Sequence, residues 1–324
     1  MDESIGSKLK KYFIIVIFFA NILLSEYTGG YAGAGFNLES CARDVSLAGA
    51  TVADGTLGFF PFSNPALLHN MKTLSLSSSY FMLPLERYGQ VISISKNLPP
   101  SAGISLSLFR SGTDDIEGRN SMNQITEKSY STSDYYGMIS FGVSPGKSIA
   151  FGVNIKAYYS SLEISSPFAD PASNGVFIDI GIIYKPLNNT IIGYKYENMG
   201  TTMKWKTDEG GHNQFSHNEN IPKKHSIGFN YIGFENIKLM IQQDLLVIDN
   251  QSLNYRTKLA AEYRIKVIDI RAGSIYSNGY FIPRFGLGFE QKIFSDNVVS
   301  FDYSLDLGKA SEGINNNFSI TISY

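Results

Sequence analysis

The sequence predicts an all-β protein, a transmembrane antiparallel β-barrel of about fourteen strands. Apolar and polar residues alternate in one segment after another, the connections between segments are short and long in turn, and the chain ends inside the last alternating segment. Charged residues make up only 17% of the 324 residues, whereas Tyr and Phe number 20 and 22. So few charges and so many aromatic side chains favour a membrane over the cytosol.

The first element, residues 1–34, has the order of a secretory signal peptide. Three lysines precede an apolar run from Tyr12 to Leu24, and Ala32 and Ala34 follow as candidate cleavage positions. The run is about 13 residues long, short of the roughly 20 that a membrane-spanning helix needs, so a retained anchor is the weaker interpretation. We therefore expect an exported protein.

The second element, residues 35–72, fits neither a strand nor a helix. Its most apolar stretch, FFPFSNPALL at 59–68, contains two prolines and does not alternate. Each proline would remove one hydrogen-bond donor from a strand ladder. The stretch is therefore not expected to be a strand of the sheet.

The third element, residues 73–324, is a succession of alternating segments. In VSFDYSLDL, at 299–307, large apolar residues fall on one face and Ser and Asp on the other, because successive side chains of a strand point to opposite sides. No amphipathic helix is evident between the segments, which disfavours a parallel sheet with helical crossovers. Strands are expected near residues 74–82, 88–96, 102–109, 135–144, 149–159, 175–184, 190–198, 224–232, 237–247, 252–264, 267–276, 282–291, 297–307 and 317–324.

The connections between these strands alternate in length. NLPPS, PGKS, PLNN and GFEN are short, whereas those at 110–134, 160–174 and 199–223 are long and polar. Outer-membrane barrels have short periplasmic turns and long external loops, and a soluble sandwich has no reason to sort its loops in this way. The expected location is the outer membrane of a Gram-negative-type bacterium, with membrane lipid around the barrel.

The last strand supports closure of the sheet. Hydrocarbon cannot satisfy unpaired backbone groups, so a spanning sheet must close on itself. The chain ends FSITISY, in which Phe318 and Tyr324 are the first and last residues. This ending resembles the C-terminal signal that the outer-membrane barrel insertion machinery reads, and we interpret these two residues as an assembly signal.

Alternation also predicts which charges face the lumen. Their signs are mixed, which favours ion pairs that brace the wall and hold the N-terminal segment over a path for one class of ion. The predicted lumen-facing charges are Asp179, Lys195, Glu197, Arg256, Lys258, Glu262, Arg264, Arg271, Arg284, Glu290, Asp302 and Asp306.

Several function classes are not supported by the sequence. The formal net charge of −2 shows no basic excess for nucleic acid. Four scattered His residues suggest no metal site, and neither a dinucleotide fingerprint nor a nucleophile elbow is present. We expect no catalytic residues, no metal and no cofactor.

Residues 41–68, CARDVSLAGATVADGTLGFFPFSNPALL, resemble the N-terminal signature of the PorV/PorQ family of outer-membrane proteins, a branch of the FadL-like long-chain fatty-acid transporter superfamily. Cys41 stands where the family usually has Gly. IDIGIIYKP, YENMG and IPKKHSIGFNY resemble later family segments, so the resemblance covers essentially the whole mature chain. The matching positions are Ala42 and Arg43, Leu47 to Ala53, Asp54, and Asn64, Pro65 and Ala66.

The resemblance implies a fourteen-stranded barrel with residues 35–72 folded into the lumen as a plug or hatch. Whether this segment is fixed or movable stays open. The residues implied to form it are Arg43, Asp54, Phe59, Phe60, Phe62, Asn64, Pro65 and Ala66.

The same resemblance implies a function. The main hypothesis is a component or partner in type IX-like protein secretion, whose candidate partners are secretion-system subunits or secreted cargo. The alternative hypothesis is FadL-like transport of hydrophobic, fatty-acid-like small molecules, with a hydrophobic ligand as the partner. A purely structural outer-membrane protein is the third.

Overall fold

A computed structural model describes residues 31–164, 171–200, 202–206, 216–248, 252–277, 279–293, 297–308 and 313–324. The signal peptide expected over 1–34 therefore lies almost entirely outside the described residues. Within these ranges, no helix has the length and apolar character that a membrane crossing requires.

Strands account for most of the described chain. Four short helices precede them: a 3-10 helix at Ala34–Asn37, α1 at Ala42–Ser46, α2 at Phe60–Ser63 and a 3-10 helix at Pro65–Asn70. The strands are β1 (Ser75–Leu83), β2 (Arg87–Leu98), β3 (Ala102–Arg119), β4 (Ile125–Val143), β5 (Ile149–Ile164), β6 (Ala172–Leu187), β7 (Thr190–Met199), β8 (Thr202–Lys206), β9 (Ser216–Asn220), β10 (Lys223–Phe234), β11 (Ile237–Ile248), β12 (Ser252–Ile265), β13 (Ile268–Ser277), β14 (Tyr280–Ile293), β15 (Asn297–Asp306) and β16 (Asn315–Ser323).

The sheet is a closed antiparallel barrel of 14 strands. Each strand pairs with the next along the chain, except that β7 pairs with β10, and β1 pairs with β16 to close the ring. β8 and β9 form a separate hairpin that joins the edge of β6 through Ala172 and Lys206. The predicted antiparallel β-barrel and its strand number are confirmed.

The long connection expected at 110–134 is mostly strand. β3 and β4 continue pairing beyond the apolar band, and Ile116 is still opposite Tyr130. The sequence-based bounds stopped where apolar residues stopped, but ladder hydrogen bonds need only backbone groups. The barrel therefore has a short-turn end and a long-hairpin end, and the strand bounds predicted at the long-hairpin end were too short.

The predicted alternation separates the two faces of the wall. In β1, Ser75, Ser77 and Ser79 are buried, whereas Leu76 and Tyr80, at positions of the opposite parity, are 43% exposed. Exposed Leu, Ile, Phe and Tyr side chains recur at the outward positions of the other strands. An apolar outer wall and a polar inner wall are the arrangement of a barrel surrounded by lipid.

This arrangement makes the outer face sensitive to charge. Leu106→Arg places a guanidinium on an outward position that is 56% exposed, and we expect the free energy of unfolding in lipid vesicles to fall by about 2–4 kcal/mol. Denaturant titration measures it. The control is Ile125→Arg, at an equally apolar and 61% exposed position at the tip of the β3–β4 hairpin, where we expect little change. Equal losses in both variants would contradict the membrane-facing assignment.

Candidate functional site

The N-terminal segment, residues 31–71, lies against inward-facing side chains of the barrel. Arg43 on α1 joins it to the wall: its Nε is 2.8 Å from Glu262 Oε2 on β12, and its Nη2 is 2.8 Å from Asp54 Oδ2 within the segment. Arg271 Nε also contacts Glu262 Oε2, at 2.7 Å. A single wall carboxylate is thus held between an arginine of the segment and an arginine of the wall.

Asp44, next to Arg43, folds the segment onto itself. Its carboxylate accepts hydrogen bonds from the hydroxyls of Ser40, Thr56 and Ser63 at 2.8–3.3 Å. Burial raises the pKa of Asp44, and the hydroxyl donors limit that rise. These contacts make residues 40–63 one compact unit.

Glu39 attaches the segment to the wall at a second place. Its Oε1 is 2.7 Å from Arg284 Nη1 on β14. Burial alone would raise the pKa of Glu39, but the charges of Arg284 and Lys258 lower it to about 2. Because the pKa of Glu39 is lowered, the pair stabilises the docked segment above the ordinary carboxyl pKa and is lost only as the pH falls toward 2.

Asn64, Pro65 and Ala66 form the tightest contact of the segment with the wall. Asn64 is completely buried, and its Nδ2 lies 3.0–3.2 Å from the carbonyl oxygens of Val52, Ile182 and Tyr194. Its Oδ1 accepts the Ala66 N–H at 3.0 Å, which caps the 3-10 helix that follows. The side chain therefore joins two parts of the segment to β6 and β7.

A row of glycines makes this close approach possible. Gly103, Gly142, Gly152 and Gly181 are cross-strand neighbours on β3 to β6. A Cβ on any of them would collide with the stretch from Asn64 to Leu68. The glycines remove side chains from the wall where backbone meets backbone, and the sequence analysis did not identify them.

The predicted aromatic residues of the segment are divided between two apolar clusters. Phe59 is completely buried, and Phe62 packs beside it in the larger cluster. Phe60 packs against a smaller cluster that contains Ala66 and Leu67. The rings of all three therefore pack against apolar clusters.

The larger cluster has Phe36 near its centre. The Phe36 ring centroid lies 5.6 Å from that of Tyr158, 5.5 Å from that of Phe177 and 6.0 Å from that of Tyr136. Tyr158 and Phe177 stack at 4.3 Å. The cluster also contains Cys41, Val45, Phe81, Val91, Phe109, Met138, Met203 and Ile221. An apolar, aromatic part of the lumen is thus filled by several side chains of the N-terminal segment, and Phe36 is the one that contacts all three of the aromatic rings of Tyr136, Tyr158 and Phe177.

The predicted lumen-facing charges are mostly paired, and their main partners include residues that the sequence analysis did not name. Lys156, Lys224 and Asp244 are three of these, and alternation within NIKAYY, KKHSIG and QQDLLV would have found them. In the described residues Arg256 is in no ion pair, and its Nη2 donates a hydrogen bond to the hydroxyl of Tyr31 at 3.5 Å. The pairs are Asp179 with Lys156 and Lys195, Glu197 with Lys195 and Lys224, Lys258 with Asp244, Arg284 with Asp306, Arg271 with Asp269 and Asp302, and Arg264 with Asp269 and Glu290.

A cavity of about 180 Å³ separates part of the segment from the wall. Aromatic side chains and paired charges both line it, among them Phe36, Phe62, Tyr136, Lys156, Glu197, Asp244, Arg256, Lys258 and Arg284. Its volume holds several waters or a small molecule. A larger solute would therefore have to displace part of the segment.

The two residues interpreted as an assembly signal lie on the outward face of β16 and at its end. Phe318 is 37% exposed and Tyr324 is 54% exposed. The Tyr324 N–H donates to the carbonyl of Leu74 at 2.9 Å, beside the start of β1. The end of the chain is thus part of the seam that closes the barrel.

Comparison with solved structures finds the same fold. The toluene transporter TbuX of Ralstonia pickettii and the toluene transporter TodX of Pseudomonas putida each align with a TM-score of 0.63 at 14% identity, covering 89% of this chain and 98% of theirs. A FadL homologue of Pseudomonas aeruginosa aligns with a TM-score of 0.60 at 10% identity, covering 88% and 98%. No family model and no curated protein matches the sequence. Identities this low establish a shared fold alone.

The glycine row can be tested with Cys41, the only cysteine of the chain, which is completely buried. Gly152→Val puts methyl groups into the backbone of Pro65 and Ala66, and such overpacking costs about 1–3 kcal/mol. We expect the maleimide labelling rate of Cys41 in folded barrels to rise by about tenfold. Gly146→Val is the control, because a Cβ at Gly146 meets no atom within 4 Å. An unchanged rate in Gly152→Val would contradict the close contact.

Proposed function

We propose that this protein is an outer-membrane passage for hydrophobic small molecules and that residues 35–72 act as its movable hatch. The observation that carries the proposal is the aromatic part of the lumen around Phe36. Its walls offer Tyr136, Tyr158 and Phe177, whose faces and edges suit an apolar or aromatic solute. Paired charges therefore do not fill the whole lumen, as they would if the lumenal side chains served only to brace the wall.

In the docked state Phe36 occupies the place that such a solute would take. The side chain of Phe36 is 9% exposed. Phe36 is part of residues 31–38, which precede the Glu39–Arg284 ion pair along the chain. A solute that displaces Phe36 replaces one set of apolar contacts by another. The energetic cost of opening this part of the hatch is therefore small compared with breaking the buried ion pairs of Arg43.

The solved structures of similar fold support this proposal, since two of them, TbuX and TodX, are toluene transporters. The proposed location is the outer membrane of a Gram-negative-type bacterium, where lipid would surround the apolar outer wall of the barrel. The insertion machinery that recognises Phe318 and Tyr324 is its proposed partner during assembly.

Type IX-like protein secretion, the main hypothesis from the PorV/PorQ resemblance, is the second candidate. It is favoured by the matching residues Arg43 and Asn64 to Ala66, which make the principal contacts between the segment and the wall. These contacts explain how the segment docks. A passage for hydrophobic molecules would need the same contacts, so they are compatible with both functions. The fold comparisons favour transport of hydrophobic molecules, so we place secretion second.

Uptake of toluene by whole cells tests the proposal. A host that lacks its own hydrophobic channels should take up labelled toluene faster when it produces this protein. Phe36→Ala removes the competing ring, and we expect purified protein to bind toluene about tenfold more tightly, because less of the binding energy is needed to displace the hatch. The control is Leu85→Ala, at a turn position that is 74% exposed.

Uptake no faster than in cells carrying an empty vector would contradict the passage. A deletion strain of the native organism separates the two candidates. If cargo proteins accumulate in the periplasm while hydrophobic uptake is normal, secretion replaces transport as the function.

A further inference from the structure

The outer wall carries an arginine at an unusual place. On β3 the outward positions Ile104, Leu106 and Leu108 are apolar and 40–59% exposed, and the next outward position is Arg110. Arg110 is the ninth residue of β3, counted from Ala102. A tilted transmembrane strand needs about 9–11 residues to cross the hydrocarbon, so Arg110 lies near the level where β3 leaves it.

Two tyrosines form a cradle for the guanidinium of Arg110. Its Nη2 donates to Tyr88 Oη at 2.8 Å, and its central carbon lies 4.9 Å from the Tyr88 ring centroid and 5.3 Å from that of Tyr135. Gly112, the next outward position on β3, leaves room for this arrangement, because a Cβ there would lie 2.6 Å from Tyr88 Oη. The guanidinium is therefore held in a fixed position on the outer surface.

The cross-strand register places Arg110 within a row of aromatic residues. Arg110 is opposite Gln90 on one side and Tyr135 on the other. The row continues through Tyr80, Phe318 and Tyr303 on the Gln90 side and Tyr159 on the Tyr135 side. Rows of outward aromatic residues mark the boundary between hydrocarbon and headgroups. Arg110 and Gln90 are polar groups in such a boundary.

No carboxylate pairs with Arg110 among the described residues, whereas three of the arginines inside the barrel, Arg43, Arg271 and Arg284, are each paired with a carboxylate. Its Nε is shielded from water and has no acceptor in the described part of the chain. At the headgroup level the abundant anion is phosphate, and a guanidinium binds phosphate through parallel N–H···O hydrogen bonds.

We propose that Arg110, with Tyr88, Tyr135 and Gln90, binds the phosphate group of a lipid headgroup at the long-hairpin end of the barrel. Long connections of outer-membrane barrels face the cell exterior, where the leaflet consists of lipid A glycolipids that carry phosphate. The occupant is therefore lipid A. The choice of leaflet depends on the outer-membrane location proposed above, whereas the site itself does not depend on transport.

Native mass spectrometry of the purified full-length barrel in detergent, titrated with lipid A, tests the proposal. We expect Arg110→Gln to weaken lipid A binding by about tenfold, the effect of losing one charge-assisted hydrogen-bonded contact. The matched control is Arg119→Gln on the same hairpin, where Arg119 is exposed and pairs with Glu117 at 3.0 Å; its binding should equal that of the unaltered protein.

Chemically dephosphorylated lipid A identifies the group that is bound. It should bind weakly, and equally to the unaltered protein and to Arg110→Gln. If Arg110→Gln does not insert as a folded barrel, Arg110→Lys provides the comparison, because it keeps the charge but loses parallel hydrogen bonding and should bind lipid A several-fold more weakly. Equal binding of lipid A by the unaltered and substituted proteins would overturn the site. Equal binding of phosphatidylglycerol and lipid A would overturn the choice of lipid A.

Discussion

The structure depends on one constraint: backbone N–H and C=O groups inside hydrocarbon must find partners within the protein. The pairing of β1 with β16 satisfies the two edges that an open sheet would leave. Closure creates an inside, and the alternation of side chains then puts serine, threonine and charged residues there while apolar residues face lipid. The polar lumen is thus a consequence of the same pairing that permits the barrel to span a membrane.

A closed lumen imposes a second requirement, because charges taken out of water must be paired. The N-terminal segment supplies part of that pairing through Arg43 to Glu262 and Glu39 to Arg284. Removing one partner of such a buried pair typically costs about 3–5 kcal/mol, so residues 39–54 are the part of the hatch that costs most to displace. The apolar contacts of Phe36 involve no buried charge, so residues 31–38 are the part of the segment that a hydrophobic solute can replace at least cost.

The sequence was sufficient for the strand number, the alternation and the closing strand, because all three follow from local periodicity. It did not locate the ends of β3 and β4, since polar residues continue a ladder as well as apolar ones do. It also did not identify the glycine row from Gly103 to Gly181 or the partners of the lumenal charges, because both depend on cross-strand register. Phe36 could not be identified from the sequence, because nothing in the local pattern GAGFN indicates that its ring packs against Phe177. That residue lies more than a hundred positions later in the chain.

The central claim is that a hydrophobic solute and the N-terminal segment compete for the lumen, and the reactivity of Cys41 in the unaltered barrel tests it most directly. Cys41 belongs to the same apolar cluster as Phe36, so displacing Phe36 is expected to uncover it, whereas burial raises the pKa of the Cys41 thiol and shields it from reagents while the segment is docked. The account predicts that saturating toluene increases the rate at which a water-soluble maleimide labels Cys41, while a polar solute of similar size, such as glycerol, leaves the rate unchanged. A labelling rate that toluene does not change, measured on protein to which toluene is shown to bind, would contradict a movable hatch and identify the segment as a fixed plug.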